Sequence, residues 1–206
     1  MAALLPDDYA AFLGLALVLA LTPGPDILYV LSRSLAQGTR AGLVAAAGFA
    51  LGNVVHTLAV ASGVGALLAA RPDLLATVRY VGALYLIYLG VVMIKRAGPI
   101  ASGGAGGASD ARVFGQSVLA NLLNPKVVLF FLSLFPQFVD DPDRAFAQTC
   151  VLGAGFIAVT MVAFGGVAVL AGRFNALLAG EEGRQVRLQQ VGGGALLLVA
   201  VWLAWP

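Results

Sequence analysis

Charge is what this chain has least of. Asp, Glu, Lys and Arg together make up 11% of its 206 residues, against roughly 25% in an ordinary soluble domain. Little polar surface is left to wrap a water-facing unit, so no separate soluble domain is expected. The basic residues fall one or two per loop and the net charge is only +2, which leaves no basic patch for nucleic acid. Cysteine and histidine are almost absent. The single Cys150 excludes an internal disulfide, and one Cys with one His falls short of the several ligands that a dedicated zinc or iron site needs. No metal and no other cofactor is expected. A basic n-region is missing as well: Asp7 and Asp8 precede the first apolar run, so that run is expected to stay as a span rather than leave as a signal peptide.

What remains is apolar. The chain is 60% hydrophobic, with recurring runs of about 20 residues, each long enough to cross a hydrocarbon core of about 30 Å. Six spans are read near 9–35, 42–70, 74–94, 113–139, 145–171 and 187–205. Between the third and fourth, Gly98 to Asp110 is rich in Gly, Ala and Ser and reads as a flexible linker. The expected organisation is one integral membrane domain: a three-helix unit at 1–97, a cytoplasmic linker at 98–111, and a second three-helix unit at 112–206.

Basic residues in the loops give the orientation. Arg33 and Arg40 follow the first span, Lys95, Arg96 and Arg112 the third, and Arg173, Arg184 and Arg187 the fifth. The other side holds Arg71, Arg79 and Arg144 beside the acidic group Asp140, Asp141 and Asp143. Eight against three puts the first, third and fifth loops in the cytoplasm and both termini outside it. Three spans per unit then force the two units into opposite orientations. The expected fold class is an all-α membrane protein of six transmembrane helices, arranged as two inverted three-helix repeats.

The repeat is visible in the residues. Phe12 to Leu35 is interrupted at Thr22-Pro23-Gly24-Pro25 with Asp26 just after, and Phe114 to Val139 at Asn124-Pro125 with Lys126 just after. A constant offset of 102 lays Phe12 on Phe114 and Pro23 on Pro125. Gly48-Phe49 resembles Gly155-Phe156 at an offset five residues larger, and Val81-Gly82 resembles Val191-Gly192. Interrupted hydrophobic segments at corresponding places in two halves point to a transporter's binding site. Gly48 and Gly52 form a GxxxG, and glycines stud the later spans; close helix packing accounts for nearly all of them.

Proline removes a backbone donor and clashes with the preceding turn, so each break frees polar backbone at membrane depth. Such groups are tolerated only against protein or a water-filled cavity, so both breaks are expected to face inward. Asp26 falls in the first turn of a half-helix, where the dipole favours a carboxylate. Asn124 is a good N-cap and Pro125 a good first helical residue, but Lys126 sets a cation against the dipole. It lies 14 residues from both Arg112 and Asp140, roughly 21 Å of helix each way, too deep for easy snorkelling. Pseudo-twofold symmetry would bring Asp26 and Lys126 together. Two readings stay open: a permanent ion pair that locks the halves, or a site for a zwitterion. In the second, Lys126 and half-helix amides hold a carboxylate while Asp26 holds an ammonium or carries a coupling proton.

Polar neighbours extend the candidate set. Tyr29 and Arg33 follow Asp26 at i+3 and i+7, with Arg33 expected to reach the cytoplasmic interface. Ser117, Asn121 and Asn124 share one strip, and Asn53 and His56 another. His56 could relay protons near neutral pH or simply bond between helices; Asn53 reads first as interhelical glue. An intramembrane serine–histidine enzyme is disfavoured, because Ser62 and His56 are turned about 240° apart on one helix. The candidate substrate or coupling residues are therefore Pro23, Gly24, Pro25, Asp26, Tyr29, Asn53, His56, Asn121, Asn124, Pro125 and Lys126, with no catalytic residue.

Gly24-Pro25-Asp26 and Asn124-Pro125-Lys126, the latter followed by an aromatic run ending in Pro136-Gln137-Phe138, resemble the signature stretches of the lysine exporter (LysE/RhtB) family of bacterial amino-acid translocators. The glycine-aromatic third span, Gly82 to Gly90, fits the same pattern, and the resemblance covers about residues 9 to 205. It implies a multi-pass inner-membrane exporter of amino acids driven by the proton gradient, and leaves a homodimer open. Members commonly carry Asp where this chain has Asn53, a departure that bears on substrate charge or coupling. The closest rival is export of a small anion or metal ion, and a metal would want more carboxylates, thiols or imidazoles than Asp26, Cys150 and His56 supply.

Overall fold

A computed structural model describes residues 5–22, 24–63, 72–95, 97, 108–177 and 182–204, and the regular structure among them is all helical. Helix α1 (Tyr9–Leu21) stops where the chain offers prolines at 23 and 25, each without an amide donor. Thr22 closes it, its hydroxyl donating to the Val18 carbonyl at 2.7 Å. Helix α2 (Pro25–Gln37) opens with Pro25 as its first residue, where a fixed φ and a missing N–H cost nothing. It ends at Gly38, whose φ of +84° with ψ 178° is essentially glycine-only backbone. That single residue turns the chain straight into α3 (Thr39–Ala61).

Helix α4 covers Pro72–Lys95. Helix starts further along the chain are set by caps and proline in the same way. Helix α5 (Asp110–Leu122) is capped by Ser109, whose hydroxyl accepts from the Arg112 amide at 3.3 Å. Helix α6 (Pro125–Ser133) is capped by Asn124, whose side-chain oxygen accepts from the Lys126 amide at 3.1 Å, as its residue type predicts. Two 3₁₀ turns, Phe135–Phe138 and Pro142–Arg144, lead into α7 (Ala145–Leu177), and α8 spans Glu182–Ala204.

The axes bend by 56° between α1 and α2 and by 51° across the second break. Two stretches, Thr39–Ala61 and Pro142–Phe174, are long and apolar enough to cross a membrane by themselves; with each bent pair taken as one span, the described residues give four. The chain is a multi-pass helical membrane protein. Helix α7 runs six residues past the expected end of the fifth span, about 50 Å in all, longer than the hydrocarbon core alone requires. Residues 64–70 of the expected second span and 98–107 of the linker lie outside the described residues.

Glycines set the contacts. A side chain on Gly48 would meet Ser117 Cβ and the Phe114 carbonyl, each at 2.6 Å, and one on Gly52 would fall on the Asn121 side chain. Helix α5 therefore lies along the Gly48–Gly52 strip of α3. Gly153 receives Thr57 and Gly172 receives Thr39, seating α3 on α7. Gly90 and Gly193 each have the other's carbonyl oxygen 2.7 Å from where a Cβ would stand, which brings α4 and α8 into backbone contact. A buried aromatic cluster of Phe12, Phe130, Phe131, Phe135 and Phe156, with Phe131 and Phe135 stacked at 4.2 Å, fastens α6 to α1 and α7. That fastening sets the two breaks side by side.

Candidate functional site

At the junction of the breaks, Lys126 reaches from the first turn of α6 to the end of α1. Its ammonium donates to the Leu19 and Thr22 carbonyls at 3.1 Å each and to Asp26 Oδ1 at 3.2 Å, with Oδ2 also at 3.2 Å. The two carbonyls belong to the negative end of α1, and the carboxylate lies in the first turn of α2. The cation opposes the dipole of its own helix and satisfies that of another. The side chains are 21% and 6% exposed, Lys126 and Asp26 respectively, so water screens the pair weakly.

Gly24 makes room for the pair. Its Cβ would stand 2.9 Å from Asp26 Oδ1 and 3.0 Å from the Lys126 ammonium. Gly24 lies 102 residues before Lys126, the same separation as Pro23 and Pro125. The second break supplies the cation, and the first supplies the space where its tip rests.

A small cavity adjoins the pair, lined by Asp26, Asn53, Asn121, Phe156, Thr160 and Phe164 among others, with space for about one water molecule. Asn121 donates to Asn53 Oδ1 at 2.9 Å, joining α5 to α3. Its own Oδ1 has no hydrogen-bond partner, nor has the Thr160 hydroxyl, although the two residues are only 2% and 3% exposed. Buried polar atoms without partners cost about 1–3 kcal/mol each, and here two of them line one cavity. Asn124 Nδ2 is a third such atom nearby in sequence.

Of the candidate residues, Gly24, Asp26 and Lys126 meet directly, and Asn53 and Asn121 line the cavity. Pro25 and Pro125 are the first residues of α2 and α6, and Asn124 is a cap. Pro23 lies outside the described residues. His56 stands behind Asn121, its Nε2 3.3 Å from the Asn121 carbonyl and its ring 5.3 Å from that of Phe131, and does not line the cavity. Ser62 bonds to the Ala59 carbonyl at 3.1 Å, apart from His56. Tyr29 turns away from Asp26 and donates to Gln116 Oε1 at 3.0 Å.

One expectation is overturned. Arg33 does not extend to the interface; it is 7% exposed and folds back over the Tyr29 ring, 5.0 Å from its centroid, to donate to Gln116 at 2.8 Å. Snorkelling is the default where a long cation can reach water, and here the aromatic face and the amide oxygen hold it inside. Thr160, Phe156 and Gln116 were missed. Thr160 had a usable signal: at the offset of 107 that carries Gly48 onto Gly155, Asn53 falls on Thr160.

The family model for LysE type translocators matches residues 17–205. Among curated relatives, a homoserine/homoserine lactone efflux protein of Salmonella typhimurium is 32% identical over 195 residues, 94% of each chain. A leucine efflux protein of Enterobacter is 39% identical over 132 residues, 61% of this chain and 60% of the relative. An uncharacterized membrane protein of Vibrio cholerae is 32% identical over 168 residues, 81% and 82% of the two chains. No solved structure matches.

Proposed function

From a chain that belongs to the LysE type translocator family, and is thus a transporter rather than an enzyme, we propose export of amino acids or close derivatives from the cytoplasm. The relatives' names, homoserine and leucine efflux proteins, support that substrate class. The observation that carries the reading is the surroundings of Lys126. Two carbonyls and a carboxylate around one ammonium make a cradle for any primary amine, and Lys126 is a tethered occupant of it.

The proposed cycle is an exchange. The α-ammonium of an incoming amino acid takes the Leu19 and Thr22 carbonyls and Asp26, and the released Lys126 pairs with the substrate's carboxylate. Asn121 Oδ1 and the Thr160 hydroxyl gain partners from the substrate or its water. Protonation of Asp26 would empty the cradle and couple export to the proton gradient.

Alternating access would come from rocking of two inverted halves, 1–97 and 112–206, about this junction, six spans in all, joined by the 98–111 linker. The paired roles of α3 and α7 support the repeat. Gly48 on α3 receives α5 through Ser117, and its counterpart Gly155 on α7 receives α1 through Tyr9 and Leu13. Inner-membrane location, with both termini outside the cytoplasm, completes the proposal.

The test is efflux of a mixed pool of preloaded amino acids from cells carrying the protein or Asp26→Asn. Selective export of one or two amino acids, abolished by the variant, is expected. Export of a small anion that survives in Asp26→Asn would replace this reading with the rival one.

A further inference from the structure

Two turns along α2 from Asp26 lies a second cation, Arg33, with a different deficit. Arg33 is buried, and among the described residues no carboxylate pairs with it, whereas Arg40, Lys126 and Arg144 pair with Asp110, Asp26 and Asp141. Its partners are neutral amide oxygens. Nη1 donates to Gln37 Oε1 at 3.1 Å and Nη2 to Gln116 Oε1 at 2.8 Å. Nε, buried as well, has no hydrogen-bond partner.

Nε and Nη2 form the side of the guanidinium fork that matches the two oxygens of a carboxylate. Here one tine rests on an amide oxygen and the other on nothing. The same Gln116 Oε1 also accepts the Tyr29 hydroxyl at 3.0 Å, so two donors share a single uncharged oxygen while Arg33 Nε has none. A buried cation without a counter-ion is strongly unfavourable, and a carboxylate here would relieve it. Gln116 can yield, because rotation of its amide presents an NH₂ donor in place of the oxygen. Tyr85, donating to the Gln116 carbonyl at 3.3 Å, holds that backbone in place.

We propose that Arg33, Tyr29 and Gln116 form a second substrate station, which takes the carboxylate of an amino acid on the cytoplasmic side before it reaches Asp26 and Lys126. The inference rests on the exporter reading. Asp26, Tyr29 and Arg33 lie at i, i+3 and i+7 of one helix, so the station leads along α2 to the central pair. The Gln116 side-chain oxygen stands in for the carboxylate between substrates.

The experiment loads right-side-out membrane vesicles with graded concentrations of L-leucine or L-homoserine, or of their carboxamides, and follows efflux. Arg33→Gln is expected to raise the internal half-saturating concentration of the acids about tenfold to a hundredfold, leave that of the carboxamides nearly unchanged, and be partly rescued by Arg33→Lys. Equal effects on acids and carboxamides, or no effect on either, overturn the station. If wild-type vesicles export none of the four compounds, the exporter reading falls, and acetate titrated into the purified protein decides the station alone. Stabilisation of wild type and Lys126→Met against heat, but not of Arg33→Gln, supports it; no acetate effect, or an equal one in Arg33→Gln, overturns it.

Discussion

Neutralising the two central charges one at a time and then together separates a lock from a binding site. Lys126→Met leaves the Asp26 carboxylate buried at 6% exposure with its cation gone. Removing one partner of a fully buried pair costs about 3–5 kcal/mol, and the partial exposure of Lys126 discounts this to about 2–3 kcal/mol. Asp26→Asn is milder, because the ammonium keeps the Leu19 and Thr22 carbonyls and loses one charge-assisted contact of about 1–2 kcal/mol. The double variant buries no unpaired charge and should lie within about 1 kcal/mol of wild type. The coupling energy is then about 2 kcal/mol or more. Thermal unfolding in detergent, at about 2–4 °C per kcal/mol for a chain of this size, resolves the order Lys126→Met, Asp26→Asn, double variant. Efflux is measured on the same preparations. Stability should return in the double variant and export should not, because the cradle has lost its carboxylate and the carboxylate partner its ammonium. Recovery of export together with stability would refute the exchange mechanism and leave the pair a structural tie.

Three further outcomes follow from the same geometry. Thr160→Val removes a buried hydroxyl that has no partner, so stability should hold or rise by up to about 1 kcal/mol, while the half-saturating substrate concentration in efflux rises; unchanged efflux takes Thr160 out of the site. Gly52→Val drives a side chain into Asn121, and overpacking of about 1–3 kcal/mol should lower the unfolding temperature and break the Asn53–Asn121 bond, whereas Gly14→Val, at a glycine with nothing within 4 Å, should do neither. The Asp140 carboxyl, which accepts the Asp7 amide at 2.7 Å and a bond from Gln148, is held below its usual 3.8, chiefly by the Asp7 amide and then by Gln148. A depressed folded value means that the tie is fully present above pH 3.8 and is lost only as pH falls through the lower folded value. Proteolytic release of the N-terminal segment should therefore stay flat from about pH 7 to about pH 5 and be higher in Asp140→Asn across that range.

The breaks were legible because proline chemistry is local: a residue without an amide ends a helix whatever surrounds it, and Asn124 with Pro125 announces the next start. The meeting of Asp26 with Lys126 was legible only through the match of the two proline breaks at an offset of 102, which paired two distant positions. Backbone partners were not. Nothing in the identities of Leu19 and Thr22 marks their carbonyls as ligands, since every residue carries one. Arg33 was misread because its role depends on which element covers the polar strip of α2, and the sequence of α2 does not show that α5 brings Gln116 there. Thr160 was missed because the match of Gly48 to Gly155 runs at an offset of 107, five residues more than the offset of 102 that matches the breaks.

Lys126 resting in the amine cradle has a consequence for when such a carrier would run. A tethered competitor acts at an effective concentration on the order of millimolar or more, so free amine must accumulate to a comparable level before it displaces the lysine. The carrier would idle while cytoplasmic pools are modest and open as they swell. Its own side chain would then set the pressure of an overflow valve and, from the far face, guard against the return of what has been expelled.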